Sequence, residues 1–438
     1  MRGFVIAGTS SGVGKTTATL AVMDALTDEG DVQGYKVGSD YIDPSHHEYV
    51  TGKPSRTLDL HMMGEDGVRR NYARGDGEYG VVEGVMGMYD SYDESTAKVA
   101  ETVGLPVVLV VDATAGMESV AATALGFAEY AQARGSDVEV AGVIANKASS
   151  DRHVSGIREG LEAVGIEFLG NIPRSDDLEV PSRHLGLEMG DESPFDDDAL
   201  SRASDSIDTQ ALESVASEAD TPDPRRTTDK TADDADSDIR VGVARDSAFS
   251  FYYPRSLEVL SSNAEVVTFS PLEDELPEAD AYYFGGGYPE LHPEKLEDNE
   301  SMRSDVLDAA SEGKPILGEC GGFMYLSESL TVDGETYEMA GVLPSQVEMT
   351  ESLEAVGYTE VEPTGASDVL GRRRLNGHEF HYSKTQIDRD ATTAFDVVRG
   401  KGIDGDRDGV VEYNTVGCYT HLHPESQDYL TTLIDRHK

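Results

Sequence analysis

The sequence predicts an α/β protein of two domains joined by an acidic linker, and three observations support that prediction. Residues 1–190 alternate short apolar runs with helix-like segments, which is typical of a parallel sheet covered on both faces. The alternation is lost over residues 191–238, which are rich in Asp, Ser, Thr, Glu and Pro and therefore predict a solvated linker. A second alternating region occupies residues 239–438.

Individual elements follow from apolar runs of strand length and from the longer segments between them. In the first domain the predicted strands are residues 3–7, 32–37, 80–83, 106–112 and 140–146. Helices are predicted over residues 16–29 and 119–134, and the linker favours a helix only over residues 211–219. The second domain has predicted strands at residues 239–244, 281–284, 315–318 and 416–421.

Length and composition narrow the class of protein. The chain of 438 residues is long enough for two or three domains, each with its own core. The formal net charge is −49, from 84 acidic and 35 basic residues spread along the chain. This charge excludes nucleic acid and anionic membranes as main partners, and it favours a surface adapted to a salt-rich cytoplasm. Two cysteines exclude a disulfide framework, and no apolar stretch reaches the ~18–20 residues of a membrane span. We expect a cytoplasmic protein.

A glycine-rich loop follows the first predicted strand. Residues 8–17 read GTSSGVGKTT and lead into a predicted helix, which is the context of a phosphate-binding loop. Lys15 is expected to neutralise the β- and γ-phosphate oxygens, and the Thr16 hydroxyl to bind Mg²⁺. We therefore predict ATP and Mg²⁺ as cofactors, and the predicted nucleotide-binding residues are Gly12, Gly14, Lys15, Thr16 and Thr17. The first glycine lies one residue farther from Gly14 than in the standard loop.

Carboxylates follow the second and third predicted strands, at the edge of the sheet where the phosphate loop lies. Asp40 and Asp43 come after the second strand. Glu83 is the last residue of the third strand, and Asp90 follows that strand. Asp40 and Glu83 are predicted to bind Mg²⁺ together with Thr16, because Mg²⁺ prefers oxygen ligands. Asp43 and Asp90 are assigned a catalytic role, holding a second metal ion or steering an incoming nucleophile.

One of the two cysteines lies between glycines after an apolar run. Residues 315–324 read PILGECGGFM and predict a strand, a tight turn and a helix, with Cys320 at the turn. A cysteine at a helix N-terminus is expected to have a lowered thiol pKa and to act as a nucleophile. A second glycine cluster at residues 285–287 offers backbone amides for an oxyanion hole. Cys418 is interpreted as a small buried apolar residue.

Several segments together resemble the cobyrinic acid a,c-diamide synthase family, which comprises glutamine-dependent amidoligases of corrinoid biosynthesis. They are residues 36–44, 56–59, 83–90 and 181–187. The long form of the phosphate loop is similar to that of dethiobiotin synthetase-like enzymes. Ser39 stands where the family usually has proline, and Leu58 where it usually has asparagine. The resemblance implies a P-loop parallel-sheet domain over residues 1–190, a linker over 191–238, and a class I glutamine amidotransferase-like domain over 239–438.

The general base for Cys320 lies in the segment GCYTHLHPE, residues 417–425, which contains two histidines. The resemblance to corrinoid-type class I amidotransferases assigns the role to His421, at the end of the predicted strand. His423 stays open, because His423 and Glu425 reproduce the His-x-Glu pair of other class I enzymes. The segment GHEFHYS at residues 377–383 also matches the family, and we interpret its histidines as structural or as lining a tunnel.

The resemblance implies ATP- and glutamine-dependent amidation of the a and c acetate groups of cobyrinate. Cys320 would release ammonia from glutamine, and the first domain would activate each carboxylate as an acyl phosphate. The alternatives are a nickel-sirohydrochlorin a,c-diamide synthase and, less favoured, cobyric acid synthase. A regulatory P-loop ATPase with an inactive amidotransferase domain is disfavoured, because Ser10 replaces the signature lysine of those proteins. A homodimer is left open as the assembly.

Overall fold

The computed structural model describes residues 1–91, 94–174, 182–183, 186–187, 189–190, 196–222, 224, 239–425 and 427–435. The chain divides into two compact units, Met1–Arg225 and Arg226–Lys438. Both are α/β units, so the predicted fold class is confirmed. Within the described part of the chain, no helix has the length and apolarity that crossing a bilayer requires.

The first unit is built around a sheet whose seven main strands are all parallel. Their order is β3-β2-β4-β1-β5-β6-β7, and a short strand, β10, pairs antiparallel with β1. The strands are β1 (Arg2–Gly8), β2 (Val32–Val37), β3 (Arg56–Leu58), β4 (Tyr79–Glu83), β5 (Val107–Asp112), β6 (Val140–Ala148), β7 (Glu167–Pro173), β8 (Ser182–Arg183), β9 (Gly186–Leu187) and β10 (Ser217–Glu218). Among the residues that the structure describes, β8 and β9 pair only with each other.

Helices connect these strands and cover the sheet. They are α1 (Lys15–Thr27), α2 (Ile42–Thr51), α3 (Leu60–Ala73), α4 (Thr96–Val103), α5 (Glu118–Ala133), α6 (Asp151–Ala163), α7 (Asp197–Ser204) and α8 (Thr209–Val215). The central strands are buried along almost their whole length, as expected for a parallel sheet covered on both faces. Each of the five strands predicted for this domain is present, with ends that differ by no more than two residues.

The acidic segment after the first sheet differs from the solvated linker predicted over residues 191–238. Residues 197–218 form α7, α8 and β10, and the apolar side chains of these elements pack into the core beside α1. Leu200, Ile207 and Leu212 are buried there. Asp196 and Asp208 cap the two helices by accepting hydrogen bonds from the amides of Ala199 and Ala211. The acidic residues thus cap these helices and form their solvent-exposed face, while the apolar face packs on the first sheet. The remainder of the predicted linker lies mostly outside the described residues.

The second unit contains a ten-stranded mixed sheet and a four-stranded sheet. The strands are β11 (Arg240–Ala244), β12 (Glu265–Phe269), β13 (Ala281–Phe284), β14 (Ile316–Glu319), β15 (Ser327–Val332), β16 (Glu335–Glu338), β17 (Leu343–Met349), β18 (Ala355–Pro363), β19 (Leu375–His381), β20 (Ser383–Ile387), β21 (Thr392–Arg399), β22 (Arg407–Glu412), β23 (Thr415–Cys418) and β24 (His421–Leu422). The helices are α9 (Pro254–Ser261), α10 (Pro293–Asp298), α11 (Glu300–Ser311), α12 (Gly321–Leu326) and α13 (Tyr429–Asp435).

The larger sheet has the order β12-β11-β13-β14-β23-β22-β21-β18-β19-β24. Its first five strands are parallel, and the pairs from β23 to β24 are antiparallel. The four strands predicted from sequence all lie in the parallel half or at its border. The strand predicted over residues 416–421 is divided at Tyr419 and Thr420, because the buried Asp408 carboxylate accepts hydrogen bonds from both of their amides.

Candidate functional sites

The phosphate loop joins β1 to α1, and two of its glycines have left-handed backbone conformations. Gly12 has φ 74° and Gly14 has φ 89°. A Cβ on Gly14 would lie 2.1 Å from the Asn146 amide nitrogen, so this position has no room for a side chain. That amide nitrogen donates a 2.7 Å hydrogen bond to the carbonyl of Val13. Asn146, at the end of β6, therefore helps to set the shape of the loop.

Lys15 and Thr16 begin α1 and face the acidic residues that the sequence predicted, and Thr17 follows in the same turn. The Thr16 hydroxyl donates a 2.6 Å hydrogen bond to Glu83 and lies 3.4 Å from Asp43. Burial lowers the pKa of the Lys15 ammonium, and the neighbouring Lys36 lowers it further. The structure thus brings together Thr16, Asp43 and Glu83.

Asp40 and Asp90 lie nearby but are engaged with backbone. One Asp40 oxygen accepts hydrogen bonds from the amides of Ile42 and Asp43, at 2.8 and 3.3 Å, where α2 begins. The Asp90 carboxylate accepts a 3.1 Å hydrogen bond from the Gly87 amide, and the next amide, that of Met88, donates a 2.8 Å hydrogen bond to the Gly8 carbonyl at the start of the phosphate loop. Asp43, assigned a catalytic role from the sequence, is therefore better placed beside Thr16 and Glu83 than Asp40 is.

Lys36 is a central residue to which the sequence analysis gave no role. Its ammonium lies 2.6 Å from Asp43, 3.2 Å from Glu83 and 3.8 Å from Asp40. Burial alone would lower the pKa of this group, but the three carboxylates raise it above its usual value. The available signal was a lysine between Tyr35 and Val37 in a predicted parallel strand, because a buried ammonium requires paired carboxylates.

His47 is a second residue that the sequence analysis did not identify. Its Nε2 lies 2.7 Å from the second oxygen of Glu83, and its Nδ1 lies 2.9 Å from the Ser55 hydroxyl. Burial would raise the pKa of Glu83, but the Lys36 charge and the His47 hydrogen bond lower it below its ordinary value. Glu83 is therefore held ionised, with Thr16, Lys36 and His47 fixing its two oxygens.

The motif at residues 181–187 lies only partly within the described residues. Pro181, His184 and Leu185 lie outside the described residues, and the described part of the segment is the short β8–β9 pair.

A separate cavity of about 480 Å³ opens at the carboxyl ends of β6 and β7. Its lining includes Ser149, Asp151, Arg158 and Asn171.

Cys320 forms a sharp turn between β14 and α12. Its φ of 49° and ψ of −101° are unusual for a residue with a side chain, and its amide donates a 2.7 Å hydrogen bond to the carbonyl of Cys418. The following glycines permit close packing against residues 285–287. A Cβ on Gly322 would lie 2.1 Å from the carbonyl oxygen of Phe284, and a Cβ on Gly321 would lie 3.0 Å from the amide of Gly287.

Cys320 is 5% exposed, and its sulfur lies 4.0 Å from the carbonyl oxygen of Phe380. Burial raises the thiol pKa above its usual value, and the Glu290 charge adds to this effect. The lowered pKa expected from the sequence is therefore wrong, because loss of water outweighs the short helix that follows. The resting residue is a thiol that needs a base.

His421 packs directly on the glycine cluster. Its Cε1 lies 2.4 Å from the position that a Cβ on Gly286 would occupy, and its ring stacks on His378 with centroids 4.9 Å apart. Burial lowers the pKa of His421 to about 3, and His381 contributes to the shift. At neutral pH the ring is therefore an uncharged imidazole, the form that can accept a proton.

The alternative base, His423, has a different environment. Its ring packs on Tyr253 with centroids 4.8 Å apart, and its Nδ1 lies 3.2 Å from the Glu425 amide. The Glu425 carboxylate forms an ion pair with Arg255 at 3.2 Å. Contact with the glycine cluster next to Cys320 therefore distinguishes His421 from His423.

The segment at residues 377–383 borders the cysteine, and both of its histidines have structural contacts. His378 Nε2 lies 2.7 Å from the Tyr253 hydroxyl. His381 Nδ1 lies 2.9 Å from the carbonyl oxygen of Ser383, and its ring stacks on Tyr419 with centroids 3.7 Å apart. Between them, Phe380 presents its carbonyl to the Cys320 sulfur.

A phosphate loop beside converging carboxylates in one unit, and a cysteine turn beside a neutral histidine in the other, define the class of glutamine-dependent amidoligases that consume a nucleoside triphosphate. Two family models agree with this division. The CobQ/CobB/MinD/ParA nucleotide binding domain matches residues 4–187, and the CobB/CobQ-like glutamine amidotransferase domain matches residues 240–429.

Curated relatives match over nearly the whole chain. A cobyrinate a,c-diamide synthase of Haloarcula marismortui is 54% identical over 97% of this chain and 97% of its own length. The protein of the same name from Halobacterium salinarum is 53% identical over 97% and 96%, and that from Archaeoglobus fulgidus is 38% identical over 96% and 93%. The chain belongs to the cobyrinate a,c-diamide synthase family, which confirms the resemblance seen in the sequence.

Proposed function

We propose that the chain amidates the a and c acetate carboxylates of cobyrinate, with glutamine as nitrogen donor and ATP as the activating substrate. The observation that carries the proposal is the 54% identity, over 97% of both chains, to a protein named cobyrinate a,c-diamide synthase. The presence in one chain of both a phosphate loop and a cysteine turn supports it, because the reaction needs carboxylate activation and a source of ammonia.

In the amidotransferase unit, Cys320 acts as the nucleophile and His421 as the base. The imidazole takes the thiol proton while the sulfur attacks the side-chain amide carbon of glutamine. Backbone amides of the glycine cluster stabilise the oxyanion, and the imidazolium returns its proton to the departing ammonia. Water then hydrolyses the thioester to glutamate. Burial raises the pKa of the thiol, so the sulfur needs a base, and the uncharged ring of His421 can accept its proton.

In the synthetase unit, a substrate acetate oxygen attacks the γ-phosphorus of ATP and ADP leaves. Lys15 and Lys36 place positive charge beside the transferring group, so the work of this unit is positioning and charge stabilisation. Ammonia then attacks the carbonyl carbon of the acyl phosphate and releases phosphate. Asp90, in the turn hydrogen bonded to the start of the phosphate loop, is proposed to steer the incoming substrate.

The residues around Lys36 fit a magnesium ion. Thr16, Asp43 and Glu83 provide the hard oxygen ligands that Mg²⁺ prefers, and Glu83 is held ionised by its neighbours. When bound, the ion would neutralise charge on the phosphate oxygens. Asp40 would act from farther away, through its hydrogen bonds to the start of α2.

The cavity at the ends of β6 and β7 is the proposed site of the nucleoside part of ATP. It lies at the carboxyl edge of the parallel sheet, where ligands of such folds bind. Asn146 links that edge to the phosphate loop through its hydrogen bond to Val13.

Mass spectrometry of the products tests the proposal. Purified protein is incubated with ATP, glutamine and, in separate reactions, cobyrinate, its metal-free form and nickel-sirohydrochlorin. We expect mono- and diamides of cobyrinate that depend on ATP. Amidation of nickel-sirohydrochlorin alone would overturn the assigned substrate, and glutamine hydrolysis without any macrocycle amide would overturn the ligase activity.

A further inference from the structure

Glu319 is a buried carboxylate that the reaction proposed above does not use. It ends β14 immediately before Cys320 and is 1% exposed. One oxygen accepts a 3.1 Å hydrogen bond from the amide of Leu422, and the other accepts a 2.5 Å hydrogen bond from the Tyr283 hydroxyl. Both oxygens are engaged with these two donors. Leu422 follows His421 directly in the chain, so the residue before the nucleophile is bonded to the residue after the base.

The backbone that carries His421 forms a very short strand. β24 contains only two residues and pairs with β19 at Gly377 and His378. Upstream, Asp408 accepts hydrogen bonds from the amides of Tyr419 and Thr420, at 3.1 and 3.0 Å. Two buried carboxylates therefore hold this short strand, one on each side of the histidine.

A carboxylate in a dry interior is costly unless it is hydrogen bonded, and an apolar side chain of similar size is often the more stable choice. In a Cys-His-Glu arrangement the third residue normally orients the histidine ring. Glu425, which the sequence suggested as the residue that orients the histidine, forms an ion pair with Arg255. Glu319 is the buried carboxylate that links the nucleophile strand to the histidine strand.

We propose that Glu319 is a positioning residue for the glutaminase reaction. Through its hydrogen bond with the Leu422 amide it holds His421 in the orientation that receives the Cys320 proton. The inference rests on the proposed Cys320–His421 pair and deepens it.

Substitution of Glu319 by leucine tests this role, because leucine is of similar size and cannot accept the Leu422 hydrogen bond. We expect Glu319→Leu to lower kcat for glutamine hydrolysis by about 10–100-fold, the range for groups that orient a catalytic residue, with KM for glutamine unchanged within about twofold. Glu319→Gln keeps one carbonyl acceptor and should restore most of kcat. Tyr283→Phe removes the other hydrogen bond only, and its kcat should stay within about twofold of the wild-type value.

The rate at which iodoacetamide alkylates Cys320 separates positioning from a general loss of stability. His421→Ala should slow alkylation, and adding Glu319→Leu to it should have no further effect, because Glu319 acts through the histidine. Additive effects, or a Glu319→Leu enzyme with wild-type kcat, would overturn the inference. An unchanged rate in His421→Ala alone would instead overturn the proposed base.

If Glu319→Leu does not fold, Leu422 can be replaced by its α-hydroxy acid counterpart. This change removes only the N–H group and leaves Glu319 in place. The same loss of kcat is expected, and wild-type kcat in the folded ester variant would count against the proposal.

Discussion

The two sites share a strand–turn–helix backbone arrangement, but one stabilises charged side chains and the other uncharged ones. Each places its reactive group where a glycine-rich turn joins a parallel strand to a helix, at Lys15 in one unit and at Cys320 in the other. Around Lys36, carboxylates compensate a buried ammonium and raise its pKa. Around Cys320, burial instead favours uncharged groups, raising the thiol pKa and lowering that of His421 to about 3. Phosphoryl transfer needs fixed charge, whereas the cysteine site needs a proton that can move.

The largest expected effect separates the two sites by nitrogen source. Cys320→Ala should reduce glutamine-dependent amidation by at least about 10³-fold, because it removes the thiol that attacks the amide. Amidation supported by ammonium chloride should be retained, since the synthetase unit does not use the thiol. Product formation is measured with each donor, and loss of both activities would contradict the division of labour.

Lys36→Ala should have the complementary effect. Without its ammonium, Asp43 and Glu83 repel each other and the charge beside the transferring phosphoryl group is lost, so amidation should fall by about 10²–10³-fold with either donor. Glutamine hydrolysis in the absence of ATP and macrocycle, followed by glutamate release, should be unchanged. A selective loss with glutamine would refute the role of Lys36.

A pair of matched substitutions tests which aspartate binds the metal ion. Asp43→Asn should raise the Mg²⁺ concentration needed for half-maximal amidation by about 10–100-fold, whereas Asp40→Asn should change it by less than about tenfold. The reason is that Asp43 lies 3.4 Å from the Thr16 hydroxyl, while Asp40 bonds to backbone amides. Manganese binding followed by electron paramagnetic resonance provides a readout that does not require turnover. The reverse order would favour Asp40 as the ligand.

Gly286→Ala should affect only the cysteine site. The added Cβ would lie 2.4 Å from Cε1 of His421, so the ring must shift, and glutaminase kcat should fall by about 10–100-fold. Gly126→Ala, on the exposed face of α5, is the matched control, because its added Cβ would meet no atom within 4 Å outside the helix's own backbone. It should keep full activity and raise stability by about 0.5–1 kcal/mol in thermal unfolding. Unchanged kcat in Gly286→Ala would place His421 outside the reaction.

The smallest expected effect concerns the net charge of the whole chain, −49, to which both units contribute. Lowering potassium chloride from 1 M to 0.1 M lengthens the screening distance from about 3 to about 10 Å. We expect the melting temperature to fall by about 2–4 °C, the shift for roughly 1 kcal/mol in a domain of this size. Calorimetry at fixed pH measures it, with sucrose as a control for nonspecific stabilisation. Equal melting temperatures at both salt concentrations would contradict a surface adapted to salt.

The long parallel strands could be predicted from the sequence because buried strands are continuous apolar runs. The antiparallel half of the second sheet was not identified, since strands such as β18 alternate exposed and buried residues and contain charged side chains. Helix α7 was interpreted as linker, and the helix predicted over residues 211–219 was not expected to pack on the first sheet, because a few apolar residues among many acidic ones do not show which face is buried. Strand pairing and helix packing decide which of these segments are buried, and both depend on residues far apart in the chain.

The same limit applies to the sites. Glycine turns and the residues that follow them are local patterns, so the phosphate loop and Cys320 could be located from the sequence. The roles of Lys36 and Asp43 depend on β2, α1 and β4 meeting, and the environments of His421 and His423 depend on Gly286 and Arg255. The expected thiolate at Cys320 was wrong for a related reason, because burial is a property of the whole unit.

The packing of residues 197–218 on the first sheet has a practical consequence for dividing the polypeptide. A truncation at residue 190 would remove Leu200, Ile207 and Leu212 and leave their apolar partners in contact with water. A stop codon after residue 222 and a new start before Ile239 would keep both hydrophobic cores intact. Two genes divided at that point would encode a nucleotide-binding unit and a glutamine amidotransferase unit, each with its own hydrophobic core.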